Sequence, residues 1–143
     1  MPLSFEDAYA AMRVAKEKFD LAHAEPVLRD GRIRMAFHNL YQAASIANML
    51  YVSRSRRGAM DEGGLLTWAK REFEEFIDTL YMRYFRRGAY PKDDFEGEFD
   101  RWFGKVREYI NRLAAEAKLE QSVKPAHEWM DRRQRGGEPN TRA

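Results

Sequence analysis

Nineteen consecutive residues, Met35 to Ser53, carry no charge, while elsewhere in the chain charges arrive every two or three positions. Within and beside this run, Ile33, Phe37, Leu40, Ala44, Ala47 and Tyr51 recur at steps of four and three. Ala36, Ala43 and Leu50 widen that stripe, and the spacing predicts a helix over 32–54 with one continuous apolar face. Its other half holds His38, Asn39, Gln42, Ser45 and Asn48 among Met35, Tyr41, Met49 and Val52. A helix surface open to water ordinarily carries Lys and Glu. Their absence predicts that this second face is also covered, by another helix or by another subunit. The same polar residues make the run unfit to span a membrane alone.

Three more helical patterns surround it. Ser4, with Asp7 three residues on, reads as an N-cap, followed by Ala8, Met12, Ala15, Phe19 and Ala22 on one face, a helix over 5–24. Pro26 stops that helix, and Asp30-Gly31 is expected to turn the chain into the next. Leu66, Ala69, Phe73, Phe76, Leu80 and Tyr84 define a third helix over 62–87, closed by Gly88-Ala89-Tyr90-Pro91. Asp93 or Asp94 caps a fourth over 92–119, with Phe95, Phe99, Trp102, Val106, Ile110, Leu113 and Ala117 inward. Asp93, Asp94, Glu96 and Glu98 sit where the helix dipole favours negative charge. Phe73, Phe76, Phe99 and Trp102, with Phe37 and Leu40, are the expected aromatic centre. The fold class that follows is all-α, an antiparallel up-and-down four-helix bundle over residues 1–120. Residues 121–143 are expected to add a short helix over 125–133, held by Trp129, and a disordered basic tail.

Composition narrows the class. A chain of 143 residues, 44% hydrophobic and 34% charged, forms one globular domain. With no cysteine it has neither a disulfide framework nor a thiolate zinc site, and a reducing compartment is the expectation. The opening MPLSFEDAY lacks a basic then apolar signal segment, so the expected location is the cytoplasm. Three histidines without Glu-x-x-His or His-Glu-x-x-His spacing argue against a metal centre, and no cofactor motif occurs.

Charge is distributed unevenly. The net charge of +2 is small, yet residues 29–57 hold six arginines against one aspartate. If the second and third helices are antiparallel, Arg29, Arg32 and Arg34 meet Arg83, Arg86 and Arg87 at one pole, a cluster suited to phosphate or RNA backbone. Carboxylates of the fourth helix start at that pole and could neutralise the cluster as surface ion pairs. Arg54, Arg56 and Arg57 lie at the far end of the second helix.

AYAAMRVAKEKFDLA, a Gly-Arg turn and AFHNLYQAASIANML resemble the opening of HEPN domains, with Phe37 and Tyr41 near the family's aromatic pair. YFRRGAYPKDDFEGEF is similar to their turn between third and fourth helices. The resemblance covers about residues 6–117 and implies a dimeric helical bundle, often paired with a small nucleotidyltransferase in a toxin–antitoxin system. Active members cleave RNA through an Arg and a His separated by four to six residues, and Arg32 with His38 is the matching pair. Here that pair opens the second helix, earlier than the family motif.

The leading reading is therefore a non-catalytic HEPN-like homodimer that binds a protein partner, such as a nucleotidyltransferase, or a nucleotide or RNA ligand. Its expected dimer interface is Met35, His38, Tyr41, Gln42, Ser45, Met49 and Val52. The rivals are a HEPN-type ribonuclease using Arg32 and His38, and a helical adaptor unrelated to that family.

Overall fold

The computed structural model describes residues 3–52 and 64–134, with side chains up to residue 118. The chain forms α1 (Phe5–Ala24), a 3-10 turn (Pro26–Leu28), α2 (Arg29–Tyr51), α3 (Leu65–Phe76) and α4 (Phe95–Gln134). A π-helical segment (Ile77–Arg86) continues α3 without a break. No strand occurs among the described residues.

Side-chain contacts fix the directions. Tyr9 at the start of α1 donates to Asn111 of α4, while Phe19 near its end stacks on Phe99 with centroids 4.1 Å apart, so α1 and α4 are antiparallel. Arg34 meets the carbonyls of Phe85 and Arg86, and further along α2 the Tyr41 ring stacks on Phe73. That makes α2 antiparallel to α3 and its π extension. Phe37 against Phe99 and Asn48 against Tyr109 run in the same order, so α2 and α4 are the parallel diagonal of an up-and-down bundle.

Local chemistry explains the starts and stops. The buried residues of α1 are Ala8, Met12, Ala15, Phe19 and Ala22, the stripe its spacing predicts. The Ser4 N–H donates to Asp7 Oδ2 at 2.7 Å, and Gly97 N–H donates to Asp94 Oδ1 at 3.2 Å, so both expected caps form. A Cβ on Gly97 would lie 2.6 Å from that Asp94 carboxylate, so a larger residue there would have to move the capping side chain. Gly88 adopts φ +65° and ends the π segment.

Three expectations need correction. Asp30-Gly31 is not a turn: the chain reverses at Glu25–Leu28, where Pro26 suits the first position of a 3-10 turn, and Asp30 lies in the first turn of α2. The third helix is not uniformly α. After Phe76 its buried positions Leu80 and Tyr84 fall at unbroken steps of four, and Arg87 N–H donates to Met82 O five residues back. Helix α4 does not end near 119 but continues to Gln134, absorbing the separate helix expected over 125–133. The expected start of the third helix at 62, Arg54, Arg56, Arg57 and the tail beyond residue 134 lie outside the described residues.

The core is more aromatic than the stripes indicate. Phe37, Phe76, Phe99, Trp102 and Tyr109 are all buried, and Phe76 meets Trp102 and Tyr109 edge-on at 6.1 and 5.2 Å. Phe73, expected among them, is only partly buried. Substituting Phe76 or Trp102 by Ala should cost about 3–5 kcal/mol in a denaturant titration. Phe73→Ala should cost clearly less. Equal losses at all three positions would mean that Phe73 belongs to the core after all.

Candidate functional site

The pole where α2 begins and the π segment ends gathers most of the expected phosphate-binding arginines, but they divide into two groups. Arg34 Nε donates to Phe85 O and its Nη2 to Arg86 O, both at 2.8 Å, while Nη1 lies 3.5 Å from Asp30 Oδ2. It supplies donors to carbonyls that the helix end leaves without partners. Arg32 turns the other way. Its Nη1 donates to Leu21 O at 3.1 Å and its Nη2 pairs with Glu25 at 3.2 Å, closing the end of α1. Both guanidinium groups are held by backbone and carboxylate, so neither stands ready for phosphate.

Arg29, Arg83, Arg86 and Arg87 are exposed, and among the described residues none has an ion pair. Arg29 lies over the Phe95 ring and Arg86 over Tyr81, each at 5.9 Å. Two of the four carboxylates at this pole have other partners. Asp94 caps α4, and Glu98 accepts from Tyr84 and from Trp102 Nε1. Burial first, then the Glu98 carboxylate, pushes the Tyr84 phenol up to about 12. Asp30 accepts from Tyr90 and pairs with Lys92, and the Tyr90 hydrogen bond chiefly holds its carboxyl below the usual range. Between these elements opens a cleft of 440 Å³ lined by Gly31, Arg34, Met35, Phe85 and Arg86.

The catalytic candidates do not converge within one chain. Six residues along a helix amount to about 120° of rotation, and Arg32 faces α1 while His38 faces the π segment. The His38 imidazole lies 4.3 Å from the Phe85 ring and 5.9 Å from Tyr81. Its Nδ1 is buried without a hydrogen-bond partner among the described residues, and burial lowers its pKa from 6.5. The ring is therefore neutral at pH 7.

The expected interface residues share the outer side of α2. Met35, Gln42 and Met49 are exposed, and His38, Tyr41, Ser45 and Val52 are half-buried. Tyr41 and His38 are flanked by Phe73, Tyr81 and Phe85. Sequence reasoning missed this second, aromatic flank. Its signal was Tyr81, Met82 and Phe85 standing off the inward stripe of a helix whose outer side should be charged. Helix α1 does not cover the face, because its buried stripe packs on the opposite side of α2. Trp129, the other candidate cover, has no described side chain.

Among the described residues no three His, Asp or Glu side chains come together as a metal site would require, and no helix is long and apolar enough to cross a membrane. Comparison with protein-family models, with curated proteins and with solved structures finds no match to this chain.

Two measurements test these placements. Arg34→Ala leaves two carbonyls without their charged donor and should destabilise the protein by about 1.5–3 kcal/mol. Since folding depresses the His38 pKa, the stability that its neutral ring contributes is complete above pH 6.5 and declines as pH falls from there. His38→Gln should remove that decline from a melting-temperature series. The separate loss at lower pH, where Asp30 and Glu98 take up protons that folding resists, should remain.

Proposed function

We propose that this chain is a non-catalytic, HEPN-like dimeric interaction module that works by docking the uncharged outer face of α2 against a protein partner. One observation carries the reading: Met35, Gln42 and Met49 are exposed along a helix face that holds no charge. Apolar and amide side chains together, without Lys or Glu, are the composition of the centre of an interface rather than of an open surface. The engagement of Arg32 by Leu21 and Glu25 supports the non-catalytic part of the proposal. A ribonuclease would need that guanidinium on the scissile phosphate.

A second reading, a nucleotide or RNA phosphate at the α2–π pole, draws support from the exposed Arg29, Arg83, Arg86 and Arg87. Binding of that kind would weaken steeply with salt, whereas an apolar interface would not.

Purified protein should leave RNA intact. Cleavage that disappears in both Arg32→Ala and His38→Ala would replace this reading with the ribonuclease. Met49→Glu should keep the helical circular dichroism spectrum, because the side chain is exposed, yet abolish association in sedimentation. Association unchanged by Met49→Glu would remove the α2 face from the interface.

A further inference from the structure

The cleft of 440 Å³ at the head of α2 is lined by Gly31, Arg34, Met35, Phe85 and Arg86. That volume lies near the small end of ligand pockets, about 300–1,000 Å³, and holds one large side chain rather than a second helix. Its apolar lining is Met35 from α2 and the Phe85 ring from the π segment, and no carboxylate, amide or hydroxyl side chain lines it. Both charged lining residues are arginines. Arg34 is held by Phe85 O, Arg86 O and Asp30. Arg86 is exposed, 5.9 Å from the Tyr81 ring, with no ion pair among the described residues. Gly31 supplies a second, independent sign. It stands within α2, where glycine costs helix stability, yet its φ is not positive and a Cβ there would meet nothing within 4 Å. Neither backbone geometry nor packing calls for glycine at that position. Bare backbone at the edge of a cleft is where a bound chain can approach closely.

We infer that this cleft docks an acidic segment of a partner protein, with one apolar side chain entering beside Met35 and Phe85 and a flanking carboxylate pairing with Arg86. Arg29, Arg83 and Arg87, exposed at the same pole, add a positive field that draws such a segment in. The apolar lining separates this partner from a nucleic acid of equal charge. A nucleobase in the cleft would have Arg86 as its single free side-chain donor and no side-chain amide, hydroxyl or carboxylate to accept from it. Most of its polar edge would lose water without replacement. A Phe or Leu side chain has no such edge to satisfy, and its burial there is favourable throughout. The arginine fork beside the cleft suits a carboxylate through two parallel hydrogen bonds, which fixes where the flanking residue sits. The site is distinct from docking of the uncharged α2 face. Met35 is common to the two, but Gly31 and Arg86 are not.

Fluorescence anisotropy of the full-length protein with labelled probes tests this. The probes are the end-blocked peptide Asp-Glu-Phe-Glu-Asp, the same peptide with Ser in place of Phe, and an oligouridylate with as many phosphates as the peptide has carboxylates. At moderate salt the Phe peptide should bind about tenfold more tightly than the Ser peptide or the RNA. Gly31→Leu places a side chain into the open space of the cleft, and Arg86→Glu sets like charge against the carboxylates. Each should weaken binding of the Phe peptide about tenfold. Both positions are exposed, and helical circular dichroism with a cooperative melting transition checks that each variant is folded. Equal binding of the Phe and Ser peptides would reduce the cleft to surface charge and overturn the apolar anchor. RNA binding tighter than the Phe peptide and lost in Arg86→Glu would put a phosphate there instead and overturn the peptide. Binding of the Phe peptide unchanged by Gly31→Leu would overturn the cleft as its site. Absence of saturable binding of that peptide at millimolar concentration would overturn the inference outright.

Discussion

Alanines on the facing helices α1 and α2 set the geometry on which everything else depends. Ala8, Ala15 and Ala22 of α1 and Ala36, Ala43, Ala44 and Ala47 of α2 are completely buried. Short side chains on both helices let their backbones approach closely, and α1 with α2 is the most intimate pair in the bundle. Once α2 is drawn that far onto α1, and onto α4 across the diagonal, its inner half is filled. The large rings of Phe37, Phe76, Phe99, Trp102 and Tyr109 then occupy the wider space between α2, α3 and α4. What remains of α2 is an outer strip of Met, Gln, Ser and His that no helix with described side chains crosses. A larger residue at any of the small positions would push α1 away and alter the level at which that strip stands.

The π segment is the second consequence of crowding on one side. Steps of four from Phe76 through Leu80 and Tyr84 keep these side chains in line, at the expense of the regular α-helical pairing. The widened turn carries Tyr81 and Phe85 around toward His38 and leaves terminal carbonyls that Arg34 meets from α2. A charged donor reaching two carbonyls replaces the capping that glycine alone cannot supply. Arg34 thus acts on the fold through the same charge that, by position in the sequence, marks it for phosphate.

This contrast shows what is legible in the sequence and what is not. Periodicity is a property of one helix, so the stripe of α1, the caps at Ser4 and Asp94 and the bundle class can be read directly. The reversal at Pro26 is legible too, once its place at the head of a 3-10 turn is weighed above the turn preference of Asp30-Gly31. A substituent's partner on another helix is not a property of one helix. Six arginines can be placed at one pole from topology alone, yet whether a guanidinium there points to Leu21, to Phe85 or to water depends on the last few ångströms of packing. The π segment is intermediate. Its unbroken steps of four are visible in the sequence, but they differ from an α stripe by a single residue in three turns.

Those last ångströms also weigh on catalysis. For Arg32 to reach a phosphate it would have to leave Leu21 O and Glu25, and a hydrogen bond from a charged group is worth about 1.5–3 kcal/mol. The carbonyl at the end of α1 would then need water or another donor. His38 meets a parallel obstacle. To act as an acid its ring must take a proton among Tyr41, Tyr81 and Phe85, where among the described residues no carboxylate stands to stabilise the cation and burial already lowers its pKa. A pair in which the arginine holds the fold and the histidine resists protonation is poorly arranged to handle a phosphate and its leaving group. The same two facts suit an interface. A neutral imidazole whose Nδ1 has no hydrogen-bond partner among the described residues, set on the uncharged side of α2, brings no charge to that face.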